Sequence, residues 1–155
     1  LLWTDVALAS DEARDMSSLV QPGMRAVSIR AEGKGSTLVR SGDRVDLIGT
    51  FPKPGSSEHR AAVVLVQNVL VMARGGNVDR PTATDGADLT LSLSVANAQL
   101  VAVAAERGRL SVALRNPDDV RVQEGLAEVS STTLLELERR AAARAPTGPT
   151  RVDSR

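Results

Sequence analysis

Between residues 108 and 117 the chain reads Gly-Arg-Leu-Ser-Val-Ala-Leu-Arg-Asn-Pro, a stretch that restricts the fold on both of its sides. Leu110, Val112 and Leu114 alternate with Ser111, Ala113 and Arg115 at the period of a strand, and Asn116-Pro117 forces a turn after it. Gly108 stops whatever helix precedes it, and is expected to do so in the left-handed conformation. That helix is legible upstream. Ser94 is an N-cap with Asn97 at N3, and the pattern runs to Arg107 with Ala96, Ala98, Ala102, Ala104 and Ala105 around Leu100, Val101 and Val103. So many small side chains let a helix lie close against a sheet. Before it, Leu89, Leu91 and Leu93 alternate with Thr90, Ser92 and Ser94, completing a strand-helix-strand unit.

The rest of the chain follows the same strand-and-turn grammar. Pro22-Gly23 is a type II turn signal, and Met24 to Ile29 follows as a strand. Glu32-Gly33-Lys34-Gly35-Ser36 reads as a flexible loop. Ser41-Gly42-Asp43 is a second turn, after which Arg44 to Phe51 places Val45 and Leu47 on one face and Arg44 and Asp46 on the other. Pro52 to Ser57 is a hairpin tip. Ala61 to Ala73 is too β-branched for a helix and reads as a long, bent, central strand with a bulge at Gln67-Asn68. Gly75 to Gly86 reads as loop and Val120 to Gln123 as a short strand. Thr133 and Glu136 form a capping box for a last helix, Leu134 to Ala143, with Glu136 and Arg140 placed to pair. The Pro/Arg-rich tail from Ala145 to Arg155 is disordered in isolation by composition. The fold class is therefore mostly β with α, an α+β architecture.

Composition excludes more than it selects. Aromatics are 1% of 155 residues, Trp3 and Phe51 with no Tyr, so a core here is built from Val, Leu, Ile and Ala. The length suits one medium domain or two small ones. Nineteen basic residues balance nineteen acidic ones, which leaves no electrostatic surplus for nucleic acid. No cysteine is present, so disulfides, thiolate metal sites and thiol catalysis are out, while the compartment stays open. No apolar run approaches the roughly 20 residues of a membrane span. The start at Leu1-Leu2-Trp3 rather than Met marks a fragment or trimmed product.

Catalytic chemistry has little to work with. His59 is the single histidine and sits in a polar loop, so no Ser-His-Asp triad or histidine metal site can be assembled within one chain. Gly33-Lys34-Gly35 lacks the third glycine and the helix of a nucleotide fingerprint. Asp43 with Asp46, and Asp118 with Asp119, have the chemistry for a hard cation, but turn acids capping their own backbone is the better reading. No catalytic residue, cofactor or metal is assigned. Asn68 is expected to hydrogen-bond the bulge it sits in. Arg109 and Arg115, on the polar side of their strand, are candidate contacts for an acidic partner. So are Arg139, Arg140, Arg144, Arg151 and Arg155, on either a solvated end or a short linear motif that folds onto another subunit.

Three blocks resemble the CpaB/RcpC family of Flp pilus (tight adherence, Tad) assembly proteins. Residues 1–29, ending in Pro22-Gly23-Met24-Arg25-Ala26-Val27-Ser28-Ile29, are similar to the end of that family's SAF (β-clip) domain. Val39 to Leu47, with Gly42, Asp43, Val45 and Asp46, resembles its Pro-Gly-Asp-Arg-Val-Asp-Val element, with Ser41 in place of Pro. Val66-Gln67-Asn68-Val69 and Leu89 to Asn116, with Gly108, Leu110, Leu114 and Asn116, resemble its Leu-Gln-Asn-Val and Gly-Arg-Leu-x-x-Ala-Leu-Arg-Asn segments. The helix opens with Ser94-Val95-Ala96 where the family often has Thr-Pro-Glu. The resemblance implies a partial β-clip over 1–51, an RcpC-type β-rich domain over 58–143 with its helix at 95–107, and a basic tail over 144–155. It also implies a non-enzymatic periplasmic component, tethered to the inner membrane in the full-length protein. Such a component docks to the outer-membrane secretin, in a homo-oligomeric ring following the secretin's symmetry. Two other roles stay open: a peptidoglycan- or glycan-binding SAF module, and a chaperone akin to the flagellar P-ring assembly protein.

Overall fold

A computed structural model of the chain describes residues 17–56, 59–75 and 86–144. The apolar start at Leu1 to Leu8, most of the loop expected after Gly75 and the tail from Ala145 lie outside the described residues. Nine elements follow in order: β1 (Met24–Glu32), α1 (Gly35–Leu38), β2 (Arg44–Pro52), β3 (Arg60–Gly75), β4 (Gly86–Ser94), α2 (Val95–Arg107), β5 (Arg109–Leu114), β6 (Val129–Ser130) and α3 (Ser131–Arg144). The α+β expectation with a C-terminal helix holds.

The strands order as β2-β5-β1-β4-β3-β6, and β2 also pairs with β3, so the first five close into a barrel. The length of β3 makes this possible. Residues 60–70 of β3 pair with β2 from Pro52 back to Arg44, and Leu70 to Gly75 pair with β4. One strand thus serves two neighbours, with a register shift in each ladder, as the bent central strand requires. The longest ladder is β1 with β4, in unbroken antiparallel register from Met24↔Ser94 to Glu32↔Gly86. The weakest join is β1 with β5, a parallel contact at the single pair Glu32↔Ser111. Closure is thin at that join: Met24–Ala31 of β1 is laddered to β4 on one side and has no ladder partner on the other. Strands on either side of the domain boundary expected between residues 51 and 58 pair with one another.

The core is aliphatic, as the scarcity of aromatics dictates. Val45 and Leu47 of β2, Val71 of β3, and Leu89, Leu91 and Leu93 of β4 are fully buried, with Ile29, Ala31 and Leu110 completing the interior. Each such side chain taken from water contributes about 2 kcal/mol. Leu114 departs from the alternation: it stands at the end of β5 and is exposed. The stretch 32–36, expected to be a flexible loop, is ordered instead. Gly33 turns at φ 88°, the Ser36 hydroxyl donates to the Gly33 carbonyl at 2.7 Å, and Ser36 and Val39 are buried.

Helix α2 has the cap its sequence promised, the Asn97 amide donating to Ser94 Oγ at 3.2 Å. It reaches all five barrel strands, which only an element laid across the barrel mouth does, and it buries Val101 and Ala104. Its stop differs from expectation. Gly108 is extended at φ −166°, not left-handed. A side chain there would run into the Thr50 carbonyl oxygen and lie 2.6 Å from Phe51 Cδ1. The glycine is needed because the helix exit passes against β2.

Two further corrections concern the C-terminal part. Val120 to Gln123 forms no strand; the late strand is Val129–Ser130, paired with Ala61 and Ala62 of β3. The last helix is capped three residues earlier than Thr133: Ser130 Oγ accepts the Thr133 amide at 3.4 Å, so Thr133 is the N3 residue. Among the described residues Glu136 and Arg140 form no ion pair.

Candidate functional site

The most connected polar cluster is centred on Asp46. On β2, Val45 faces Val69 and Leu47 faces Val66, so Gln67 and Asn68 of β3 together oppose Asp46. Two residues against one is a β-bulge, and Asn68 absorbs it at φ 56°, a left-handed conformation that asparagine tolerates better than most residues. Its amide donates to Asp46 Oδ1 at 2.8 Å, so the expected backbone role of Asn68 is visible. Its own Oδ1 is buried without a hydrogen-bond partner.

The same carboxylate holds Arg115, whose Nη1 donates to Asp46 Oδ1 at 2.8 Å and Oδ2 at 3.0 Å. The guanidinium then reaches into the segment that follows it. Nε donates to the Asp119 carbonyl at 3.1 Å, Nη2 donates to the Arg121 carbonyl, and Nη2 lies 3.3 Å from Asp119 Oδ2. Only 7% of the Arg115 side chain is exposed. The hydrogen bond it donates to Asp46 raises its pKa above the ordinary arginine value, against desolvation, and the charges of Asp46 and Asp119 add to the rise. Gln67 completes the clasp, donating to the Gln123 carbonyl at 2.8 Å and accepting the Gln123 amide at 3.0 Å. The result is a strap, residues 116–123, drawn along an open groove of about 880 Å³.

This arrangement binds its own chain. The fork of Arg115 is spent on internal acceptors, so the residue named as a candidate partner contact is turned inward. Arg109 lies 3.5 Å from Glu32, across the β1–β5 join. Asp43 accepts the Arg40 amide at 2.8 Å, and Asn116 and Asp119 cap backbone amides of their own turn. His59 Nδ1 meets Ser56 Oγ at 2.6 Å. Among the described residues no group of acidic or histidine side chains is placed to hold a metal ion. Arg139 and Arg140 are exposed on α3, Arg144 closes it, and Arg151 and Arg155 lie outside the described residues. The turn motifs are built as read: Gly23 at φ 83° beneath the Met24 to Gln21 hydrogen bond, and Gly42 at φ 94°, its amide donating to Val71. Met24, Arg25 and Ala26 open β1.

A second surface was missed in the sequence. Between α2 and the β2–β3 hairpin runs an open groove of about 670 Å³, lined by Phe51, Val63, Leu65, Leu100 and Val103 with Lys53, Arg107 and Glu128 at its rim. The signal was present. Leu100, Val103 and Arg107 recur at helical spacing beside the buried Val101 and Ala104, but two amphipathic faces on one short helix look like one all-apolar helix.

A family model described as Flp pilus assembly protein RcpC/CpaB matches residues 14–115. The chain belongs to the RcpC/CpaB family. No curated protein and no solved structure matches it. The RcpC/CpaB match spans all five barrel strands and ends at Arg115, the residue that anchors the strap. The strap, β6 and α3 lie beyond it. The family supports a role in Flp pilus assembly and consists of assembly components, not of known enzymes. Among the described residues no helix is long and apolar enough to cross a membrane.

Proposed function

We propose that this chain is a non-enzymatic periplasmic assembly component of the Flp pilus machine that docks to the outer-membrane secretin. The observation that carries the reading is the family match over the whole barrel, on a body whose best polar cluster is consumed by its own strap. The barrel is a platform, and the strap is one surface it presents outward. Val120, Val122 and Leu126 are exposed there, an apolar row on a segment that Arg115 and Gln67 hold in place. Pre-ordered apolar side chains lose little entropy on binding, which is what a docking surface needs. Arg139, Arg140 and Arg144, with Arg151 and Arg155 of the tail, add a basic flank for acidic groups on the partner.

The test is a pull-down of the secretin's periplasmic N-terminal domains by the whole chain and by a chain ending at residue 144, at low salt. Capture by both places the contact on the body, and a further substitution, Val122→Asp, is expected to weaken it at least tenfold. Capture by the whole chain alone makes the tail the motif. Failure of both overturns the proposal and turns attention to peptidoglycan.

A further inference from the structure

Besides the strap, two surfaces among the described residues are apolar and exposed. The first is α3, whose main packing is against β6 alone. Leu134, Leu137 and Ala141 recur at i, i+3 and i+7 along it, and the two leucines stay 54% and 53% exposed. Glu138 beside them, four residues after Leu134, makes no ion pair among the described residues. The second is the groove between α2 and the β2–β3 hairpin. It has an apolar floor, and Val103 on its wall is 55% exposed. Of its rim charges Lys53 and Glu128 are paired with each other at 3.4 Å, while Arg107 has no ion pair among the described residues.

We propose that α3 of one copy of this chain lies in the α2–hairpin groove of a second copy. Leu134, Leu137 and Ala141 would face Leu65, Leu100 and Val103, with Glu138 meeting the unpaired Arg107. A helix of 14 residues is about 20 Å long, enough to lie along the strip that α2 offers from Leu100 to Arg107. The charge match is what selects this occupant: Arg107 at the groove has no carboxylate partner among the described residues, and Glu138, on the leucine face of the exposed helix, has no cation. The occupant comes from another copy because the helix leaves the sheet without a linker. Ser130 ends β6 and Ser131 begins α3. Ser130 Oγ holds the Thr133 amide and Ser131 Oγ accepts the Arg60 amide at 3.3 Å. These bonds fix the exit direction, along which the leucines remain exposed, and folding α3 onto its own groove breaks them. Helix and groove are different surfaces, so the contact is head-to-tail. Each added copy brings one free helix and one free groove, and the rotation between copies decides between a ring and a filament. None of this rests on the secretin reading, since the chain alone suffices.

Sedimentation velocity of the whole chain from about 1 to about 300 µM, the range of weak protein contacts, reads the outcome. The weight-average mass is expected to climb with concentration past that of a dimer. Leu137→Glu and Val103→Glu, both at exposed positions and checked for an unchanged melting curve, are each expected to give monomers over the whole range. Mixed at equal concentration they are expected to form a 1:1 dimer that grows no further, because one intact helix meets one intact groove. A wild-type chain that stays monomeric overturns the proposal. So does a mixture that stays monomeric, and so does a Val103→Glu chain that still associates, which would point to helices pairing with helices.

Discussion

Arg115 and Asn68 show how one bulge organises a surface. The bulge turns the Asn68 amide onto Asp46, and the remaining lone pairs of that carboxylate collect the arginine that ties down residues 119–121. Removing the guanidinium strands Asp46 and frees the strap. Arg115→Met is therefore expected to lower the melting temperature and to open the 116–123 segment to limited proteolysis before the barrel is cut. Arg115→Lys is expected to rescue little, since one ammonium cannot reach two carbonyls and a carboxylate. Asn68→Gly should leave stability within about 1 kcal/mol of the parent, because glycine accepts φ 56° freely, whereas Asn68→Val should lose about 2 kcal/mol in chemical denaturation. Gly108→Ala is expected to cost about 1–3 kcal/mol by overpacking against Thr50 and Phe51, although the backbone there is ordinary.

At the scale of elements, α2 and β3 carry the architecture and were the most legible parts of the sequence. Alternating leucines in β4, the Ser94 cap and the β-branched run of β3 each encode a local preference that the fold obeys. What the sequence hid was non-local. Glycine at 108 reads the same whether it turns the backbone or admits a neighbour, and only the approach of β2 decides which. Val120 and Val122 alternate like a strand, but no neighbour offers them a ladder; Arg115 and Gln67 claim that backbone instead. The arginine's inward turn was equally unreadable, because Asp46 is 69 residues away in the chain. For α3 the capping chemistry was right in kind and three residues late in position, since Ser130 and Thr133 are both good caps. Because α3 touches little besides β6, deletion of residues 131–155 is expected to leave the amide exchange rates of β1 and β4 unchanged and, in β3, to speed the Arg60 amide that Ser131 Oγ accepts.

The molecule as a whole depends on an aliphatic interior and little else. Leu91→Ala, at the centre of β4 and fully buried, is expected to lose about 3 kcal/mol in denaturant titration. Its pH response should be slight where Arg115 is concerned. A raised arginine pKa contributes stability fully below the group's ordinary value and loses it only as pH climbs through the higher folded value, so unfolding midpoints measured between about pH 5 and 9 should carry no Arg115 signature. The thin β1–β5 join has a temporal meaning as well. Glu32 and Ser111 are far apart in the chain, and their meeting is what turns a curled sheet into a tube. Closing so long a loop for so few bonds is entropically late, so the barrel is expected to fold slowly for its size. On a ribosome, it stays an open sheet until the last residues of β5 have emerged.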